Sequence, residues 1–233
     1  MLKFVLSPRW FYGIDTISAV IALIITLVIA IFSYKLYTFC QDKKYKYLAL
    51  SFFTLTASFF FKLLTNVVVY YEVVKEKVVG SIVLTYTVLE SSDLLVSIGF
   101  IGYRFLFLAG VMGLFYLLYQ HRDRKLFIIM FWLILIATWF SLSNYFFFHA
   151  TAILFISLLF WYYYRACKTS KPKQVKSLRY VMFTYWFLAL SQLSFLFVAL
   201  NLHFYAIAES LQLVGLLLLL YSLLCVFKNA KCR

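Results

Sequence analysis

The sequence predicts an all-α membrane protein, a polytopic bundle of seven spanning helices forming one domain over residues 1–233, and three observations carry that expectation. Hydrophobic residues make up 65% of the chain and aromatics 22%, against 13% charged, with a mean hydropathy of +0.94. A soluble domain carries about 25% charged residues. Apolar stretches of roughly 20 residues, the length that crosses a bilayer, recur along the chain. The basic residues fall in alternate connections, as they do when loops lie on opposite sides of a membrane. The length leaves room for seven spans with short loops and no separate soluble domain.

The opening MLKFVLSPRWF is too short to span, and Trp10, Phe11 and Tyr12 read as an interfacial aromatic belt. The first span covers residues 14–39, too long for the apolar core of a signal peptide and without a small-residue cleavage site, so it is read as retained. A charged turn, Gln41 to Lys46, leads to the second span, 47–71. The one long connection follows. Its apolar part, Val78 to Leu89, is too short to cross and reads as an interfacial segment or as an outward extension of the third span, 94–119. The basic turn QHRDRK precedes the fourth span, 126–142, and a tight turn at Ser143-Asn144 opens the fifth, 144–165. CKTSKPKQVKSLR is the most basic loop, and the sixth and seventh spans cover 180–202 and 204–227.

Sixteen of the 22 Lys and Arg lie after the first, third and fifth spans or in the tail, whereas Lys3, Arg9, Lys75 and Lys77 lie opposite. The positive side is cytoplasmic by rule, which places the N-terminus outside and the C-terminus in the cytoplasm of a cell membrane. The net charge of +14 then follows from topology and attraction to anionic lipid heads, and no nucleic-acid partner is needed. Cys40, Cys167, Cys225 and Cys232 fall on the cytoplasmic side, where thiols stay reduced, so no disulfide is expected.

The remaining two basic residues, Lys62 and Arg104, lie well inside spans, where an ionisable group normally faces the bundle interior. Counted from each cytoplasmic helix end at 1.5 Å per residue, Lys62, Arg104 and Gln212 lie about 22 Å up, His149 about 24 Å, Gln192 about 18 Å and Glu209 about 27 Å. Five spans thus contribute to one layer in the outer third. Ser51, Thr54, Ser58, Lys62 and Thr65 form a single stripe on the second span, Asp15, Ser18, Thr26 and Ser33 share a face of the first, and Glu209 and Gln212 share a face of the seventh. The expected ligand-binding set is Lys62, Arg104, His149, Gln192, Glu209 and Gln212, with Arg104 and Lys62 around Glu209 and Asp93 or Asp15 near the mouth. The same residues also suit a structural role, with Lys62 reaching to the interface and Arg104 paired permanently with Glu209.

A parallel internal repeat of three-plus-one-plus-three form is a further expectation. It aligns Tyr34-Lys35 with Tyr164-Arg165, Lys46-Tyr47 with Arg179-Tyr180, Ser51 with Thr184 and Ser58 with Ser191, and, at a second constant offset, Tyr103, Gly113 and Tyr119 with Tyr205, Gly215 and Tyr221. Such halves enclose the binding site in transporters.

Catalytic and cofactor chemistry find no constellation. Zinc hydrolysis needs about three converging ligands, yet His121 belongs to the cytoplasmic side and His149 and His203 to the outer half. Those two differ in depth, which also disfavours haem, and the last span has no lysine before Lys228 for a retinal Schiff base. There is no phosphate-binding glycine loop or nucleophile elbow, and the proline-glutamine signature of small three-plus-one-plus-three sugar transporters is absent. No catalytic residue, metal or cofactor is therefore expected.

In helix count, orientation and the Phe/Tyr/Lys-rich style of SYKLYTFCQDKKYKYLALSFF, the whole chain resembles uncharacterised seven-helix membrane proteins widespread in archaea and the membrane sensor modules fused to some prokaryotic kinases. The resemblance implies a receptor-like or sensory protein with an outward-facing polar site. Since only six residues follow Phe227, its output would pass through the basic loops to a separate cytoplasmic or membrane protein. A transporter of a small anionic solute is the alternative, and a structural subunit of a membrane complex the third reading.

Overall fold

The computed structural model describes residues 8–11, 13–78, 82–119, 124–170 and 172–229, with side chains placed for all of these except 9, 69–95, 119, 124, 172–176 and 226–229. A 3-10 turn at Arg9–Phe11 leads into seven helices: α1 Ile14–Cys40, α2 Lys43–Val78, α3 Ile82–Tyr119, α4 Arg124–Phe140, α5 Phe146–Thr169, α6 Pro172–Leu196 and α7 His203–Asn229, with a second 3-10 turn at Phe197–Ala199. No strand occurs among the described residues.

Local chemistry sets the helix ends. Gln41 adopts the left-handed conformation (φ 53°) and its N–H donates to the Tyr37 carbonyl at 2.8 Å, which stops α1. Three short acceptors then restart helices by taking a backbone N–H two residues ahead: Asp42 from Lys44, Asn144 from Phe146 and Asn201 from His203, at 2.9, 3.0 and 2.9 Å. Pro172 opens α6, a position where its missing N–H leaves no bond unmade.

The observed helices outrun the apolar spans at several ends. The sixth begins eight residues before Tyr180, and the fifth continues to Thr169. Hydropathy locates what sits in hydrocarbon, whereas backbone hydrogen bonding continues into the polar interface. At 36 and 38 residues, α2 and α3 extend about 54 and 57 Å, well past a 30 Å hydrocarbon core. Of the segment Val78 to Leu89, Val78 closes α2 and the part from Ile82 belongs to α3, so the extension reading holds. Residues 79–81 and the side chains of Glu72, Lys75, Glu76, Lys77, Glu90 and Asp93 lie outside the described residues.

Among the described residues six helices are long and apolar enough to cross a membrane, making this a multipass membrane protein, while α4 is shorter at 17 residues. Two tightly packed units, α1-α2-α3 and α5-α6-α7, meet through α1 against α7 and α3 against α5, closing a six-helix ring; α4 packs on α3 and α5. The exterior is apolar, with Trp139 and Phe39 each 73% exposed, while Asp15, Ser18, Thr26, Ser33, Ser51, Ser58, Lys62 and Thr65 are buried. Thr54 alone of the α2 stripe is only half-buried, its hydroxyl donating to its own helix at the Leu50 carbonyl, 3.0 Å away. Polar inside and apolar outside is the arrangement that lipid selects.

Positions of α2 and α6 aligned by the repeat make like contacts with α3 and α7, although the partners are themselves aligned only at Gly113 and Gly215. The Ser51 side chain packs against Gly113, and the Thr184 carbonyl with the Leu188 side chain packs against Gly215. Ser58 Oγ donates to the Tyr103 carbonyl at 3.0 Å, and Ser191 Oγ to the Ala208 carbonyl at 2.8 Å. Tyr47 meets Tyr116 edge-on, and Tyr180 meets Tyr221 edge-on, at 5.8 and 5.2 Å between ring centroids. Cys40 is disulfide-bonded, which corrects the expectation of reduced thiols drawn from compartment alone; Cys167 and Cys225 are free thiols. Cys232 lies outside the described residues.

The most extensive helix pair, α2 on α3, is built on glycine. Gly99, Gly102, Gly110 and Gly113 turn one face of α3 to α2, and a Cβ added at Gly110 would meet Leu55 Cγ at 2.6 Å and the Ser51 carbonyl at 3.2 Å. Small residues let backbones approach where lipid supplies no hydrophobic drive between helices. Gly110→Val should therefore lower stability by about 1–3 kcal/mol through overpacking, as read from thermal unfolding of the purified protein. The lipid-facing Leu64→Val on α2 should change it by no more than about 0.5 kcal/mol.

Candidate functional site

Each residue of the polar layer comes from a helix face fixed by the packing above, and the layer resolves into three pairs. At the seam of the two units, Lys62 Nζ on α2 forms a salt bridge with Glu209 Oε1 on α7; the two residues are 8% and 3% exposed. Ser18 Oγ on α1 lies 2.9 Å from the other carboxylate oxygen, Glu209 Oε2, and 2.8 Å from the Asp15 carbonyl, so its single proton serves two acceptors. Asp15, also buried, accepts the Thr16 N–H at Oδ1.

His149 on α5 and Gln192 on α6 make the second pair, the Nδ1–H donating to Gln192 Oε1 at 2.8 Å. The imidazole stacks on Phe195 at 4.9 Å and meets Phe148 edge-on at 4.8 Å. Arg104 on α3 makes the third: its Nη1 donates to the Ser141 carbonyl just past the end of α4, and its guanidinium lies 5.2 and 5.8 Å from the Phe100 and Phe148 rings. Arg104 therefore anchors the α4–α5 turn, and the carboxylate of Glu209 is taken by Lys62.

Two aromatic rings tie the pairs into a layer. Tyr103 lies under Lys62 Nζ at 5.7 Å and meets Phe148 at 5.7 Å, and Phe148 touches both Arg104 and His149. Tyr103, Phe148, Phe195 and Ser141 were not visible as site residues in the sequence. Against 22% aromatics, three such rings carry no signal until the helices are in place, nor does one serine carbonyl.

Gln212, one turn beyond Glu209 and 2% exposed, lines a small cavity of about 20 Å³ between the units, together with Phe59, Phe107, Ile156, Tyr185 and Leu188. Among the described residues its amide oxygen has no hydrogen-bond partner, nor does the amide nitrogen of Gln192. Native interiors pair nearly all such atoms, so these two mark where the layer holds unused polar capacity. No three His, Cys, Asp or Glu side chains converge among the described residues.

The ion pair sits where the two units differ. At the offsets that align Ser58 with Ser191 and Tyr103 with Tyr205, Lys62 stands opposite Phe195 and Glu209 opposite Phe107. One half of the molecule thus carries a charge where the other carries a phenyl ring. No family model matches the chain, and no curated protein or solved structure matches it.

Removing one member of a buried pair strands the other charge, whereas apolar replacement of both is often neutral or stabilising. Lys62→Met or Glu209→Leu alone should lower unfolding stability by about 3–5 kcal/mol, and the double substitution should recover most of it. Chemical denaturation of all four proteins, read as a double-mutant cycle, checks this.

Proposed function

We propose that the chain is a receptor-like or sensory membrane protein whose polar layer takes a small anionic ligand at Lys62. The observation that carries this reading is the Lys62–Glu209 pair joining the two three-helix units across their seam. A desolvated pair contributes little to stability compared with packed apolar side chains, and ionisable groups within a membrane mark functional sites. A carboxylate or phosphate that displaced Glu209 from Lys62 would leave Glu209 with Ser18 alone and loosen the contact of α2 with α7. The units would then be free to shift, and a ligand moves such an equilibrium only by binding the two arrangements differently.

In this reading the N-terminus lies outside the cell, the layer lies nearer that side, and the basic end of the bundle faces the cytoplasm, where a partner protein would receive the signal. Arg104 keeps the α4–α5 turn in place beside the site, and Gln192 and Gln212 offer the unused amide atoms a polar ligand needs. A second reading, transport of a small anionic solute, is favoured by one specific observation: the two units repeat each other's contacts and place the charged pair between them, the plan of carriers built from parallel repeats.

The purified protein should gain thermal stability from one member of a panel of small carboxylates, amino acids and phosphate. The gain should approach about 2.7 kcal/mol at a concentration 100-fold above Kd. The double substitution Lys62→Met with Glu209→Leu, which keeps the fold, should lose that response. Flux of the same ligand into proteoliposomes would make the protein a carrier, and no flux would leave the receptor reading. If no anion shifts the wild type, both readings fall and the layer is structural.

A further inference from the structure

The last two turns of α5 carry a surface that the polar layer does not use. Trp161, Tyr164, Arg165 and Lys168 are spaced i, i+3, i+4 and i+7, hence on one face, and all four are exposed. The Arg165 guanidinium lies 5.2 Å from the Trp161 ring centre, and Lys168 Nζ lies 4.6 Å over Tyr164. Trp161 and Tyr164 are themselves stacked, at 6.0 Å and 28°. Each cation is thus held over a ring, about 6 Å further along the helix than the ring it covers.

We propose that this face is a binding site for the headgroup of an anionic phospholipid. The two rings occupy the glycerol level favoured by interfacial aromatics, and the two cations stand one turn higher, at the level of the phosphates. A guanidinium matches a phosphate with paired N–H donors, and an ammonium adds a point charge. Below Trp161 the same face continues through Leu158 and Leu154, 40% and 49% exposed, an apolar track for the acyl chain that free phosphate would not need. The surroundings have the complementary charge. Lys35, Lys43, Lys44, Lys46, Lys125 and Arg179 are exposed at the same end of the bundle, and Asp42 is the one carboxylate among the described side chains there. Because each cation already rests on a ring, little side-chain freedom remains to be lost on binding.

The test is lipid retention by the full-length purified protein, measured by native mass spectrometry with phosphatidylglycerol or phosphatidylcholine added to the detergent at equal concentration. Wild type should retain phosphatidylglycerol in preference. Arg165→Gln with Lys168→Gln should weaken that binding about thirtyfold, the effect of two interfacial cations, and Trp161→Leu should weaken it for both lipids. Lys43→Gln with Lys44→Gln, which removes the same charge elsewhere on the rim, should leave it nearly unchanged. The proposal is overturned if the α5 variant keeps its phosphatidylglycerol preference or if the two pairs of substitutions act equally, which would make the attraction one of net charge. Full competition by inorganic phosphate, with no dependence on Leu158→Ser, would make it an anion site and overturn the lipid assignment.

Discussion

Pairing Lys62 with Glu209 is the constraint on which the rest of the arrangement depends. Leaving either charge unpaired in a water-excluded interior costs several kcal/mol after relaxation, so α2 and α7 must present them at one depth and within contact. That requirement registers the first three-helix unit against the last. Ser18 extends the register to α1 by reaching the second carboxylate oxygen, which makes the seam a three-helix junction. Tyr103 beneath the ammonium passes the constraint to α3, and Phe148 passes it on to α5.

The pair has no counterpart at the aligned positions, although some contacts recur in the two units. Serine hydroxyls cross to neighbouring carbonyls, a glycine lets a neighbouring helix approach closely, and tyrosines meet edge-on in both units at aligned or nearly aligned places. These are contacts of close approach and hydrogen bonding, the forces that remain between helices when lipid is as apolar as their side chains. Phe195 and Phe107 stand at the positions aligned with Lys62 and Glu209; Phe195 stacks on His149, and Phe107 meets Phe148 edge-on. Among the described residues the charged pair joins the two three-helix units at their seam.

Much of the fold was legible because a membrane imposes a coarse and unambiguous pattern. Seven helices, their order and the inward stripe Ser51, Ser58, Lys62 and Thr65 followed from hydropathy and period. The ends were less legible, since Pro172 to Arg179 is basic yet helical, and the segment from Ile82 is an apolar extension of α3. The candidate site was legible as a layer but not as pairs. Depth along a helix is a linear function of residue number, so Lys62, Arg104, His149, Gln192, Glu209 and Gln212 could be placed at similar heights. Which of them touch depends on helix rotation and on ring order, and neither is a property of any one stretch of chain.

The sequence by itself therefore determined the class of the protein, the number of its helices, and the fact that charges lie inside them, because each of these follows from local composition. Only the tertiary structure decided that Lys62 takes Glu209 while Arg104 turns to the carbonyl of Ser141, and that α4 packs against α3 and α5 while the other six helices close the ring. Each of these is a choice among partners at equal depth, and distance between residues far apart in the chain, set by the packing of whole helices, is what makes the choice.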